Sequence, residues 1–382
     1  MPRFLGVMVV LTDFTADAAP VDVAVHRVPE GGLQPQVTAD SLGTVHLIYL
    51  KGDPAGSDVF YVRSTDDGQT WSTPIRVNRV PGSAIGLGTV RGAHLAVGRK
   101  GRVHVAWMGS KNAEPKAPNG KPPMLYARLS ASGNSFEPER NVISSHVGVD
   151  GGGSIAADEL GNVYVAWHAP ESVGGKEQDR RVWVARSTDD GATFAPEVAI
   201  SKPDTGACAC CGMRIAARDG KVFILYRGAS QQINRGMYLL ETRGDLTDPR
   251  SREIAPMKMG MCVMSTSAFA AHSDRVLAAW QTGEQVYWSD ASQLLGAGGN
   301  AAAPAGPARD RKHPAIAEAK SGEVLLAWTE GTGWNKGGSI KWQLFKSDGE
   351  PIKGNAGTSD DLPAWDLPAA FVARDQHFVL LY

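Results

Sequence analysis

Long apolar runs are missing from this sequence: none approaches the roughly 20 residues that a helix needs to cross a bilayer. A strong net charge is missing too. The formal balance is -1 at pH 7, which removes the electrostatic case for nucleic acid as a partner. Cysteine is scarce, with 4 in 382 residues. What the chain does have is turn-forming residues, 44 Gly and 23 Pro, in a composition 42% hydrophobic and 21% charged. That balance describes a soluble globular protein, long enough to bury a large core.

The chain starts MPRFLGVMVVLTDFTADAAP, with one Arg, a short apolar stretch over Phe4–Leu11 and an A-x-A-like Ala16-Asp17-Ala18. Residues 1–19 read as an export signal, although Asp13 and Asp17 stand where such segments are usually uncharged; an ordinary N-terminal strand is the alternative. Export predicts a periplasmic or secreted location and an oxidising environment for the cysteines.

One unit recurs along the chain: an apolar strand, a turn built on Gly or Asp, and a second apolar strand ending in an aromatic. The copies begin at PQVTADSLGTVHLIYL (35–50) and end at PAAFVARDQHFVLLY (368–382). Their closing aromatics are Tyr49, Trp107, Trp167, Tyr226, Trp280, Trp328 and Tyr382. A third strand such as RRVWVARS (180–187) and a fourth such as PEVAI (196–200) follow most hairpins. Four strands at this period predict an all-β chain, a β-propeller of four-stranded blades over residues 20–382. The count gives seven blades, with six plus a displaced hairpin as the alternative. The last copy stops after its second strand, so VDVAVHRV (21–28) is expected to complete it and close the ring. Residues 294–308 have loop composition and predict a degenerate outer edge in the fifth blade.

Between third and fourth strands stand Ser64-Thr-Asp-Asp-Gly-Gln-Thr-Trp71 and Ser187-Thr-Asp-Asp-Gly-Ala-Thr-Phe194. These octets resemble the Asp-box (BNR) repeat of the sialidase superfamily, and Leu129–Phe136 resembles a third copy that has lost its Asp. In such a turn Asp66 and Asp189 accept backbone N–H groups, Gly68 and Gly191 take positive φ, and Trp71 and Phe194 fill the space between blades. The resemblance implies a sialidase-like propeller. Catalytic members carry an early Arg-Ile-Pro motif, two further arginines that clamp a carboxylate, a Tyr–Glu nucleophile pair and an acidic Asp. Here Gln34-Pro35-Gln36 stands where the first hairpin begins, and no Arg-Ile-Pro occurs. The resemblance therefore speaks for the fold, which hosts both hydrolases and binding proteins.

In a propeller, the loops leading into the inner strands and those joining second to third strands open on one face. The repeat register puts Arg91 and His94 there from the second blade, and His146 and Asp150 from the third. The fourth brings Cys208, Cys210, Cys211 and Met213, followed by Arg214; the fifth brings Cys262 between Met261 and Met264. Arg311 and His313 come from the sixth blade, Trp365 and Asp366 from the seventh. The other loops add His168, Glu171, Arg227, Arg235, Glu284, Glu330 and Trp334. Arg91, Arg214, Arg227 and Arg311, with His94, His146, His168 and His313, are candidates to hold an anion. Asp150, Glu171, Glu284, Glu330 and Asp366 are the acids available to a hydrolase, which needs two of them facing across a sugar bond.

All four cysteines lie in ACACCGMR (207–214) and MKMGMCVM (257–264), with five of the ten methionines. The register makes these equivalent positions on adjacent blades and predicts one sulfur-rich site at the channel mouth. Three readings stay open: disulfides, a reactive cysteine beside Arg214, or a soft-metal site. Cys208, Cys210, Cys211, Cys262 and Met261 are the candidate ligands for copper, since thiolates with thioethers select Cu(I). C-x-C-C is not a zinc-ribbon spacing. The expected function is an exported propeller whose axial pocket binds copper or a small anionic ligand. The alternatives are a divergent exo-glycosidase acting on a glycan, and a protein-interaction propeller.

Overall fold

The computed structural model describes residues 22–145, 148–149, 151–261, 263–272, 275–296 and 299–382. The export-signal reading falls on residues outside that set. Seven sheets are arranged as the blades of a propeller. In the first, Leu33–Ala39, Val45–Asp53, Gly56–Ser64 and Ile75–Arg76 run antiparallel, each pairing with the next. Blades two, three, four and six repeat this four-strand order, with inner strands His94–Val97, Gly153–Ala157, Arg214–Arg218 and Lys312–Glu318. The second strand of each blade is apolar on both sides because it meets a neighbouring blade on each. All six residues of Val103–Met108 are buried, as expected for β-branched and aromatic residues in a doubly covered strand.

Blades five and seven are three-stranded. In the fifth, a short helix Ala291–Leu295, capped by the Asp290 carboxylate, and a lone bridge from Trp288 to Ala302 stand where a fourth strand is due. The Ala- and Gly-rich composition of 294–308 predicts that loss. The seventh blade, Ala369–Val372 and Phe378–Leu381, is completed by Val23–His26. That strand pairs parallel to Phe378–Leu381, a sense the sequence did not indicate. Val28 N–H donates to Tyr382 C=O at 2.8 Å and Tyr382 N–H to His26 C=O at 3.1 Å, extending the clasp by one residue.

All seven closing aromatics are buried, and Trp107, Trp167 and Trp280 are 2% exposed or less. Trp107 packs with Ile48 and Tyr61 of the first blade as well as with its own, so each such ring serves two sheets at once. The two Asp-containing turns have one geometry. Ser64 Oγ donates to Asp66, Gly68 N–H donates to Ser64 Oγ at 2.9 Å, and Asp66 accepts Thr70 N–H at 2.9 Å. Ser187, Asp189, Gly191 and Thr193 reproduce these bonds. Hydrogen bonds from Ser64 and Thr70 hold the Asp66 carboxyl down to about 2. Desolvation opposes the same effect at Asp189, but Thr193 and Ser187 outweigh it and bring that carboxyl to about 2 as well. Phe194 meets Tyr126 of the second blade edge-on at 4.9 Å, and Trp71 packs on the cluster shared by blades seven and one. The turns are thus wedges between sheets.

Gly191, at φ +74°, is pressed against Tyr126 Oη, whereas Gly174, at φ +84°, has open space around it. Gly191→Ala is expected to lower stability by about 3 kcal/mol, adding overlap to backbone strain, and Gly174→Ala by about 1 kcal/mol from strain alone. Urea unfolding of both variants checks this; equal losses would show that the turn is not wedged.

Candidate functional site

The inner strands enclose an axial channel of about 320 Å3. Its wall is mostly small and apolar, with Ala96, Ala156 and Ala216 at equivalent strand positions on three blades. Toward the hairpin-turn face it widens into an opening of about 1000 Å3, sharing Val37, Val97, Ala217 and Ile316 with the channel wall. The rim there mixes charges, as in the Arg374–Asp67 pair at 3.2 Å. The far end of the channel is polar, lined by Gln36, His94, Ser154, Arg214 and Thr266. No carboxylate or tyrosine lines the channel or its polar end among the described residues.

Arg214, the first residue of its blade's inner strand, directs its side chain into this end. Its Nε donates to Ser267 C=O at 2.9 Å, and Nη1 lies against the His94 ring, 2.8 Å from Nε2. Ser154 Oγ is 2.9 Å from His94 Nδ1. Burial, and secondarily the Arg214 charge, hold His94 well below its ordinary value, so the ring is neutral. Desolvation brings the Arg214 guanidinium down to about 10, still charged at neutral pH. Beyond the guanidinium the free space narrows to about 10 Å3 beneath Thr89 and Val90.

The loop carrying those residues covers the mouth. Gly88 meets the Trp334 ring, which belongs to the sixth blade, on the opposite side of the axis from the second blade's lead-in loop. Under this contact lies a cavity of about 110 Å3 that includes His313, Lys312, Trp365 and Asp366 in its lining. Asp366 Oδ1 accepts Gln34 N–H at 2.7 Å and Leu367 N–H at 2.9 Å, while its buried Oδ2 has no hydrogen-bond partner. Burial pushes this carboxyl up to about 7, against the two backbone donors. Burial likewise lowers His313 to about 3.

The sulfur gathers beside the channel rather than in its wall. Cys208 and Cys211 are buried, Cys210 is half-buried, and Met257 and Met259 pack against them. The Sγ atoms of Cys208 and Cys210 and a Glu177 carboxylate oxygen lie within 4.8 Å of one another. No disulfide joins Cys208, Cys210 and Cys211 to one another, and the expected pairing with Cys262 falls outside the described residues. Cys208 Sγ and Cys211 Sγ are 3.4 Å apart, beyond the roughly 2.05 Å of a disulfide. Met261, expected as a copper ligand, is 69% exposed and stands outside the cluster.

No protein-family model matches the chain, and no curated protein matches its sequence. Solved structures do. The Hadza microbial sialidase Hz136 aligns over 92% of this chain and 66% of its own, at 13% identity and a TM-score of 0.50. Trypanosoma rangeli sialidase in complex with the inhibitor DANA aligns over 83% of this chain and 57% of its own, at 12% identity and a TM-score of 0.53. The α-L-arabinanase of Penicillium chrysogenum complexed with arabinobiose covers 84% of this chain and 95% of its own, at 12% identity and a TM-score of 0.52. This is a sialidase-like β-propeller fold. The chain spans 66% of the first sialidase and 57% of the second, so the likeness concerns the propeller.

Within the sialidase-like propeller the predicted ligand residues divide. His94 and Arg214 meet in the channel, and His313 and Asp366 share the mouth cavity. Arg91 stays near the mouth, its guanidinium beside Gly88. Arg227 is buried and spends its donors on Arg235 C=O and on Gln281. Arg311 pairs with Glu330 at 3.1 Å and holds Pro304 and Ala305 carbonyls, which makes both residues struts between loops. Glu330 also takes Lys341 and Trp328 Nε1. Glu171 pairs with Arg181 at the surface, Glu284 is exposed, and His168 is buried beside Gly151. Thus, of the described candidate acids, Asp366 alone faces a cavity described here. His146, Asp150 and Cys262 lie outside the described residues. Sequence reasoning passed over Glu177, Ser154, Thr266 and Gln34. Glu177 sits in the long loop after Val163–Pro170, whose length was the available signal.

The Asp366 carboxyl keeps its proton to about 7 in the fold but only to about 3.9 in an unfolded chain. Between those values the folded state holds the extra proton, so this group's contribution to stability is full below the lower value and lost as pH rises toward the upper. Asp366→Asn is expected to flatten a wild-type decline of the order of 3 kcal/mol across this window. Urea unfolding at stepped pH reads it; a variant retaining the full wild-type slope would assign the decline elsewhere.

Proposed function

We propose that this propeller is a binding protein whose axial channel takes a small anionic ligand, with the ligand's acidic group on Arg214. The observation that carries this reading is a desolvated guanidinium in a channel end with no carboxylate in its described lining. A buried charge without a counter-charge is costly, and a carboxylate or oxyanion supplies one through a forked pair of N–H donors. Neutral His94 and the Ser154 and Thr266 hydroxyls offer directional hydrogen bonds without adding charge. A channel of about 320 Å3 suits a single acidic sugar or a similar small carboxylate. The fold shared with sialidases and an arabinanase is consistent with a glycan-derived ligand. Titration calorimetry with N-acetylneuraminate, glucuronate and inorganic phosphate tests the reading. Arg214→Met is expected to weaken binding about 10- to 100-fold, as for loss of a charge-assisted hydrogen bond. Absence of binding by the wild type, or equal binding by the variant, would sink it.

One observation favours a second reading, a divergent exo-glycosidase. Asp366, protonated to about 7 in a cavity that also holds Trp334 and Trp365, has the protonation state a general acid needs. Hydrolysis of fluorogenic glycosides, abolished in Asp366→Asn, would support it; inert wild-type protein would exclude it for the glycosides assayed.

A further inference from the structure

The channel leaves the sulfur unexplained. We propose a second site, independent of the channel ligand, at which the turn Cys208–Cys211 binds one soft metal ion of the Cu(I) class through thiolates.

The turn is built to converge. Cys208 N–H donates to Arg227 C=O at 2.9 Å, Cys211 N–H closes back on Cys208 C=O at 3.3 Å, and Gly212 N–H donates to Ser265 C=O at 3.0 Å. These bonds fix both ends of the turn to blades four and five. Cys208 and Cys211 sulfurs are thereby 3.4 Å apart, and Cys208 and Cys210 lie within 4.8 Å of each other. Two thiolates sharing an ion at about 2.3 Å each sit roughly 4 Å apart, so Cys208 stands near that spacing from each of its two neighbours and can share an ion with either.

The surroundings select the ion. Thiolates alone would accept Cu(I) or Zn(II), whereas thioether neighbours favour Cu(I). Met257 and Met259 pack on the cysteines from the segment that follows Arg250–Ala255, held there by Met259 N–H to Ile233 C=O at 2.7 Å and Arg235 N–H to Met257 C=O at 2.8 Å. Glu177 is the hard donor that would complete a zinc tetrahedron. Its carboxylate is engaged by Arg235 at 2.7 Å and Arg180 at 3.4 Å, so recruiting it would break two ion pairs. Arg235 keeps its charge despite desolvation because Glu177, Cys208 and Cys211 stand beside it. Arg235, held by Glu177 at 2.7 Å, also sets a positive charge beside the turn that would offset the negative charge of a thiolate-bound Cu(I). The half-buried Cys210 leaves a path inward from the surface.

The test is Cu(I) transfer to the full chain under anaerobic reducing conditions, in competition with bicinchoninate, with metal quantified by plasma mass spectrometry. One ion per chain is expected. Cys210→Ser should weaken retention at least about a hundredfold and Cys208→Ser similarly, while Glu177→Gln and Arg214→Met leave it within about threefold. Cys210→Ser carries the test if Cys208→Ser misfolds, because its side chain is only partly buried; thermal melts of each variant check folding. Loss of all copper to the chelator would overturn the proposal, as would undiminished retention in folded Cys210→Ser. Tighter Zn(II) binding that Glu177→Gln abolishes would also overturn the copper assignment. Since Arg214 is remote in role, failure of anion binding leaves this result readable, and the reverse holds.

Discussion

Seven sheets that each bury two apolar faces can satisfy them only against one another, and that mutual burial is the constraint from which the rest of the molecule follows. An aromatic such as Trp107 fills the gap to the next blade as much as its own. A gap anywhere in the ring would expose two such faces at once. The parallel strand Val23–His26 therefore matters beyond its four residues, because it covers the last unpaired edge and ties the beginning of the described chain to its end. The Asp-containing turns serve the same end from the outer side, wedging Trp71 and Phe194 between neighbouring sheets.

Ring closure produces an axis that narrows toward its polar end, and desolvation there shifts the titratable groups that line it. His94 and His313 are driven neutral and Asp366 holds its proton up to about pH 7. Arginine resists the same pressure because its intrinsic affinity for the proton is so high. Arg214 thus remains the cation around which the channel end is organised. Where arginines stand in the other loops, at 227, 235 and 311, carbonyls and carboxylates engage part of each donor set. The contrast explains how Arg214, Arg227 and Arg311, candidates of equal appearance in sequence, come to differ in role.

The blades were legible because their signal is periodic: apolar hairpins closing on an aromatic recur at a nearly constant interval, and each copy reports on the others. The missing outer strand of the fifth blade could be read from composition at 294–308. The parallel sense of the closing strand could not, since pairing direction leaves no mark on a short apolar segment. For the site, register placed His94 and Arg214 near one end of the axis, and it brought Met257 and Met259 to the cysteines. It failed for Met261, which stands exposed and away from the cysteines. It also missed Glu177, whose role depends on how a long irregular loop folds back, and it could not separate Arg311 from Arg214, because both read as polar residues leading into an inner strand.

The contact between Gly88 and the Trp334 ring, across the mouth of the ring, gives the molecule two unlike poles. One pole is shut by backbone and indole and carries the sulfur loop at its flank. The other opens broadly and leads along an alanine-lined bore to a single positive charge. A solute and a metal ion would thus approach from opposite directions without competing for a surface.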